Sequence, residues 1–175
     1  MKLTSKPNSA LNRNVFIVLL IVFNIAIDQF SKFWVRANFQ YGETKSIIGD
    51  KFIMQYVENK GAFLGMGSDM NPTLKLILLL ILPTLVLGYV IYYIVKNKEL
   101  DRLSLIAFCC IIGGGIANVF DRIVYGQVTD FFFINLGGVF KTGIFNVADL
   151  SVTTGMIMLL FSGIFNKKKE SSITT

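Results

Sequence analysis

The chain has 175 residues, 53% of them hydrophobic and 16% charged, and its mean hydropathy of +0.60 is too high for a water-soluble domain of this size. The net charge of +6 does not point to nucleic acid, because the basic residues gather at the chain ends and beside apolar runs, where lipid headgroups and topology signals place them. Histidine is absent, which removes His-based triads and the commonest metal ligand, so acid–base chemistry falls to carboxylates, lysine or tyrosine.

In chain order, residues 1–14 are polar, carry Lys2, Lys6 and Arg13, and read as a flexible cytoplasmic tail. Val15 to Ile27 is uncharged and apolar; extended through Gln29, Phe30, Phe33 and Trp34 it reaches the length of about 20 residues that a span needs. The run resembles a signal-peptide core, but no small-residue cleavage site follows it, so a first transmembrane helix is predicted over 15–36. Asp28 and Lys32 lie four apart on it, acid first, the favourable order for an ion pair. Residues 40–67 are mixed polar, and Phe52 to Val57 is β-prone after the Gly49-Asp50 turn signal, which predicts a small extramembrane β unit. The small and apolar residues from Asn59 to Gly67 suit a short interfacial or re-entrant segment, or else a plain turn.

A second helix is predicted over 73–95, charge-free from Leu76 to Val95, started by Asn71-Pro72 and kinked at Pro83. Lys96, Lys98 and Arg102 follow in a short loop assigned to the cytoplasm. A third helix is predicted over 103–123. Its Gly113, Gly114, Gly115 and Ala117 permit close approach of a neighbour, and its adjacent Cys109 and Cys110 point about 100° apart and act as packing residues. Gly114, Asn118 and Arg122 recur every four residues, with Asp121 three after Asn118, so one stripe faces the bundle interior. Residues 124–143 return to the far side, with Phe131 to Phe133 read as an interface anchor or a lipid-contacting wall. A fourth helix is predicted over 144–165, with Asn146 and Asp149 three apart at its start. Four spans put both termini on one side. Lys2, Lys6, Arg13, Lys96, Lys98, Arg102 and Lys167 to Lys169 cluster there, against Lys45, Lys51 and Lys60 opposite.

Ionisable groups at membrane depth are costly and are read first as functional. Asp130 and Asp149 come from different elements at similar depth. Two carboxylates brought close cannot both ionise easily, so the pair holds one general acid and one general base. One activates water and the other protonates the leaving group, which is peptide hydrolysis without histidine, metal or covalent nucleophile. The plain alternative for Asp130 is a solvated or capping loop acid. For Asp121-Arg122 it is an interfacial ion pair at the helix end, for Asp28 and Lys32 a structural pair, and for Asn118 and Asn146 interhelical hydrogen bonds. A proton-coupled transporter also keeps acids in helices, but it shows repeated halves and broken midplane helices, whereas here the polar groups crowd one interface. A non-catalytic scaffold would tolerate loss of either acid.

Asp28-Gln29-x-x-Lys32, Asn59-x-Gly61-Ala62-Phe63, Gly113-Gly114-x-x-x-Asn118-x-x-Asp121-Arg122, Val128-x-Asp130-Phe131 and Phe145-Asn146-x-Ala148-Asp149 occur in this order. Together they resemble the bacterial lipoprotein signal peptidases, the type II signal peptidases, with Ala117 standing where glycine is the family's residue. The resemblance implies a single-domain, four-helix membrane aspartic peptidase with an outer β-cradle, seated in the bacterial cytoplasmic membrane with both termini cytoplasmic and its site near the outer leaflet. It implies Asp130 and Asp149 as the catalytic pair. Asp28, Lys32, Asn59, Gly61, Gly114, Asn118, Asp121, Arg122, Asn146 and Ala148 would then shape the site. It implies no metal and no cofactor. The partners implied are membrane lipids, diacylglyceryl-modified prolipoproteins cut before the lipidated cysteine, and cyclic peptide antibiotics such as globomycin as inhibitors.

Overall fold

The computed structural model describes residues 8–62, 66–137 and 139–171. Within them run α1 (Asn8–Asn38), β1 (Thr44–Ile48), β2 (Phe52–Asn59), α2 (Pro72–Lys96), α3 (Arg102–Tyr125), β3 (Val128–Ile134) and α4 (Val147–Ser171). Lys2, Lys6, Phe63 and the middle of the expected re-entrant segment lie outside the described residues.

All four helices are long and apolar enough to cross a membrane. The connections 39–71 and 126–146 both lie at one end of the bundle, and the sheet is built from them. Half of the apolar stretch of α3 is buried, against 11–17% in the other three helices, so α3 is the central one. Three consecutive glycines make this possible. Successive helical positions point about 100° apart, and Gly113, Gly114 and Gly115 meet three different neighbours. A Cβ on Gly113 would lie 2.5 Å from Asn24 Cβ of α1, one on Gly114 2.4 Å from Ala148 O of α4, and one on Gly115 2.7 Å from Leu87 Cδ2 of α2. Small residues let backbones close up where lipid offers no hydrophobic push.

The helix ends follow local chemistry. Asn71 caps α2 through Thr73 N–H at 2.8 Å, with Pro72 in the first turn. Pro83 has no N–H to donate, and α2 is wound wide just before it: Leu82 N–H bonds Ile77 O, five residues back, while Thr84 Oγ1 donates to Leu80 O at 2.6 Å. Asp101 caps α3 through Ser104 N–H at 3.0 Å, and Gly126, at φ 74°, ends it.

Three expectations are corrected. The polar stretch before residue 15 is helical from Asn8, and within it the Arg13 guanidinium donates to Ile94 O at 2.9 Å and Asn97 O at 3.0 Å, tying α1 to the last turn and cap of α2. The fourth helix starts at Val147 and not at 144. Phe145 is instead paired with β3, its N–H bonding Phe132 O at 2.9 Å and its carbonyl accepting from Phe132 N–H at 2.8 Å. The run Phe131 to Phe133 belongs to a strand, with Phe131 in a buried cluster beside Val35 and Phe39.

That strand completes an antiparallel sheet of order β1-β2-β3. Met54 pairs with Phe132 and Val57 with Asp130, so Gln55 and Tyr56 together oppose Phe131 in a bulge. The extra residue shifts the face that β2 presents to the start of β3. Val57 and Asn59 therefore share a face with Asp130, and Glu58 and Thr129 meet on the other.

Gly114→Val is expected to lower the unfolding midpoint in detergent micelles, since overpacking against the Ala148 carbonyl costs about 1–3 kcal/mol. Gly88→Ala, at a position with nothing within 4 Å of the added Cβ, should leave the midpoint unchanged or raise it. Equal midpoints for Gly114→Val and wild type would contradict the packing described.

Candidate active site

A buried cation lies beneath the site. Lys32 Nζ has three protons and three acceptors: Asp28 Oδ2 at 2.8 Å, Asp121 Oδ2 at 2.8 Å and Asn118 Oδ1 at 2.9 Å. Lys32, Asp28 and Asp121 are all fully buried. The expected Asp28–Lys32 pair is therefore present, but the expected Asp121–Arg122 pair is not. Asp121 turns to Lys32 and to Gln29 Nε2 at 2.9 Å. Arg122, one position further round the helix, donates to Gly61 O at 3.1 Å and Asn118 O at 3.4 Å. Asp28 also accepts from Ala148 N–H at 2.7 Å, one of the free amides in the first turn of α4, so a carboxylate closes that helix end.

Above this cluster three asparagines hold two aspartates, and the direction of each amide is dictated by a partner that can only donate. Asn118 Oδ1 faces Lys32, so Asn118 Nδ2 points the other way and donates to Asp149 Oδ1 at 2.8 Å. Asn146 Oδ1 accepts Asp149 N–H at 2.9 Å, leaving Asn146 Nδ2 to donate to Asp130 Oδ1 at 2.6 Å. Asn59 Oδ1 accepts Gly61 N–H at 2.9 Å, so Asn59 Nδ2 reaches Asp130 Oδ2 at 2.9 Å and Ala62 O at 3.0 Å. Asn146 and Asp149 form a reciprocal capping box, since Asp149 Oδ2 accepts Asn146 N–H at 3.2 Å. Asn146 is thus bonded to both aspartates, by its side chain to one and by its backbone to the other.

All twelve residues singled out in the sequence converge here. Asp130 is buried on β3 and Asp149 is half-buried in the first turn of α4. Gly114 and Ala148 are the contact that lets α3 and α4 close together behind Asn118. Sequence reasoning missed Thr129, whose hydroxyl accepts from Arg36 at 2.8 Å and donates to Glu58 at 3.2 Å. It also missed Asn24, which accepts from Ser151 at 2.9 Å; an amide within an apolar run was the available signal.

The acid on β3 titrates unusually. Burial, and then the charge of Asp149, push the Asp130 carboxyl up to about 7, while the amides of Asn59 and Asn146 and the charge of Lys32 pull the other way. Two grooves flank the pair and share Gly143. One, of about 390 Å³, carries Asp130 with Glu58, Asn59, Lys60 and Ser68; the other, of about 440 Å³, carries Asp149 with Ile134, Phe145, Leu150 and Thr153. The first is the more polar of the two and the second is almost wholly apolar.

Residues 20–165 match the family model described as signal peptidase (SPase) II. The chain is 35% identical to the lipoprotein signal peptidase of Clostridium novyi (strain NT), over 81% of this chain and 93% of that protein. It is 33% identical to that of Streptococcus pyogenes serotype M1, over 86% and 93%. A solved bacterial membrane enzyme superposes with a TM-score of 0.78 at 25% identity, covering 88% of this chain and 90% of the other. With its four spans, the chain is a multi-pass membrane protein.

Lys32→Met is expected to destabilise the protein by about 3–5 kcal/mol, because it leaves two buried carboxylates facing each other without a cation. Lys45→Met, at an exposed pair with Glu43, should leave the unfolding midpoint essentially where it was. If both variants melted alike, Lys32 would not be the support described.

Proposed function

We propose, since the chain belongs to the signal peptidase II family, that it is a membrane-embedded aspartic endopeptidase of diacylglyceryl-modified prolipoproteins. It removes their signal peptide by cutting before the lipidated cysteine. Asp130 and Asp149 share one proton and activate a water between them. The observation that carries this reading is the pair itself: two carboxylates from separate elements, both bonded to Asn146, one of them with a pKa near 7.

The chemistry follows from that proton. Asp149, in the first turn of α4, takes a proton from water as the oxygen attacks the scissile carbonyl carbon. Asp130, the favoured holder of the shared proton, gives it to the carbonyl oxygen. The resulting gem-diol collapses as the C–N bond breaks. The diol returns a proton to one carboxylate, and the proton that Asp149 took goes to the leaving nitrogen, so the pair ends with one proton as it began. The amides of Asn59, Asn118 and Asn146 fix both carboxylates throughout, which limits reorganisation in the transition state.

The polar groove suits the extended peptide and the apolar groove beside α4 suits the acyl chains. A lipidated substrate would enter sideways from the bilayer while water arrives from the sheet end. The membrane is the bacterial cytoplasmic membrane, with both termini cytoplasmic beside the Lys96, Lys98 and Arg102 loop and the aspartates near the outer leaflet. A cyclic peptide such as globomycin, spanning both grooves, would compete with substrate.

Asp130→Asn and Asp149→Asn are each expected to leave the protein folded and inserted but to reduce cleavage of a lipidated precursor by at least about 10³-fold, the scale of losing an acid–base group and the electrostatics around it. Wild-type turnover by either variant would end the assignment. The pH dependence carries a sign. As pH rises through about 7 the pair loses its shared proton, so kcat/KM should fall on that alkaline side. The folded-state pKa of Asp130 lies above its ordinary value, so this group's contribution to stability is fully present at acid pH and is lost as pH rises through about 7. Asn59→Leu removes a donor that favours the anion, so the alkaline limb of kcat/KM should move to higher pH. A shift to lower pH would contradict the role given to Asn59.

A further inference from the structure

Between β3 and α4 the chain folds into a small hairpin whose tip is apolar and uncovered. Asn135 bridges Lys141. Leu136 N–H bonds Phe140 O at 2.9 Å and Phe140 N–H bonds Gly137 O at 3.1 Å, with Gly137 at φ 94°. The base is tied on both sides, by Thr142 N–H to Ile134 O at 2.9 Å and by Asn135 N–H to Lys51 O at 2.8 Å. On this well-bonded turn Leu136 is 71% exposed, Val139 89% and Phe140 72%. Three large apolar side chains together on one turn are a patch and not a scatter of surface residues.

The place of the hairpin shows what lies against it. Its base residues Ile134, Lys141 and Thr142 line the same groove as Leu150 and Thr153 of α4. Thr153 is six residues past the start of the helix, about 9 Å along its axis, so the base of the hairpin borders the first turns of this membrane-spanning helix. The outer face of that helix is apolar and open, with Leu150, Ile157 and Leu160 exposed, and Leu136, Val139 and Phe140 stand exposed on the hairpin whose base adjoins it. Lys141 at the base and Lys51 on the adjoining turn stand where a cation would meet headgroup phosphates.

We propose that Leu136, Val139 and Phe140 insert into the phospholipid headgroup–acyl boundary of the leaflet in which α4 begins, anchoring the sheet to the membrane. The hairpin is the covalent link between the strand of Asp130 and the helix of Asp149. Seating its tip at a fixed depth therefore sets the depth of both carboxylates and of the groove wall between them. The inference rests on the four spans and not on the reaction, so it stands or falls separately from the peptidase reading.

The test is fluorescence of Phe140→Trp in a Trp34→Phe background, which leaves one tryptophan, reconstituted as the full chain in vesicles of phosphatidylcholine and phosphatidylglycerol. The expected result is blue-shifted emission, quenched about twofold more by phosphatidylcholine brominated near the headgroup end of its chains than by lipid brominated near the chain ends, as a shallow interfacial side chain requires. Adding Val139→Asp and Leu136→Asp should abolish both the shift and the quenching. Water-exposed emission, quenched by acrylamide and not by brominated lipid, would overturn the proposal. So would blue emission that ignores brominated lipid: if it reverted on diluting the protein in lipid, a second copy would be the cover, and if it did not, another part of the chain would be.

Discussion

The site depends on one ammonium group that is fully out of water. Lys32 Nζ spends its three protons on Asp28, Asp121 and Asn118, and each bond fixes a different part of the molecule. Through Asp28 it reaches the Ala148 amide in the first turn of α4, which the capping box leaves open. Through Asp121 it reaches the end of α3 and the backbone of Thr129, next to Asp130. Through Asn118 it dictates which end of an amide faces Asp149. Burying one cation with two carboxylates is expensive, and such clusters often add little net stability over apolar packing. What this one contributes is orientation: an amide placed against a donor-only cation has no alternative rotamer of similar energy.

That constraint propagates upward without needing a rigid loop. The orientation of Asn118 settles the donor offered to Asp149, and the capping box settles the donor Asn146 offers to Asp130. Each aspartate oxygen thereby receives an amide N–H. Such donors favour the anion, yet Asp130 is pushed up to about 7, because burial and the neighbouring acid outweigh them. The acids are held firmly enough to keep their geometry, and Asp130 is desolvated enough to keep a proton. The glycine triplet of α3 supplies the other requirement, since three helices must approach one segment closely for these short side chains to meet.

Much of this was legible in the sequence. Long charge-free runs gave the four helices, the four-residue recurrence of Gly114, Asn118 and Arg122 gave the inward stripe, and the three-residue spacing of Asn146 and Asp149 marked a helix start. The strand β3 was hidden, because Val-Thr-Asp-Phe-Phe-Phe-Ile fits an interfacial anchor as well as a strand and its partner, β2, lies some seventy residues earlier. The bounding Gly126 and Gly137 were the turn signals that could have revealed it. Adjacency misled at Asp121-Arg122, where neighbouring helical positions point about 100° apart and the two side chains serve different partners. The early start of α1 places Arg13 against the end of α2, a tertiary contact that no local pattern announces.

A proton shared by the two aspartates near neutral pH is read most directly by infrared difference titration of the carboxylic-acid C=O stretch in the reconstituted protein. The expected protonated-carboxyl band is present below pH 7, disappears with an apparent pKa of about 7, is absent from Asp130→Asn, and titrates at lower pH in Asp149→Asn once the neighbouring charge is gone. A wild-type spectrum with no carboxyl band titrating near neutrality, or a band that survives unchanged in Asp130→Asn, would contradict the shared proton.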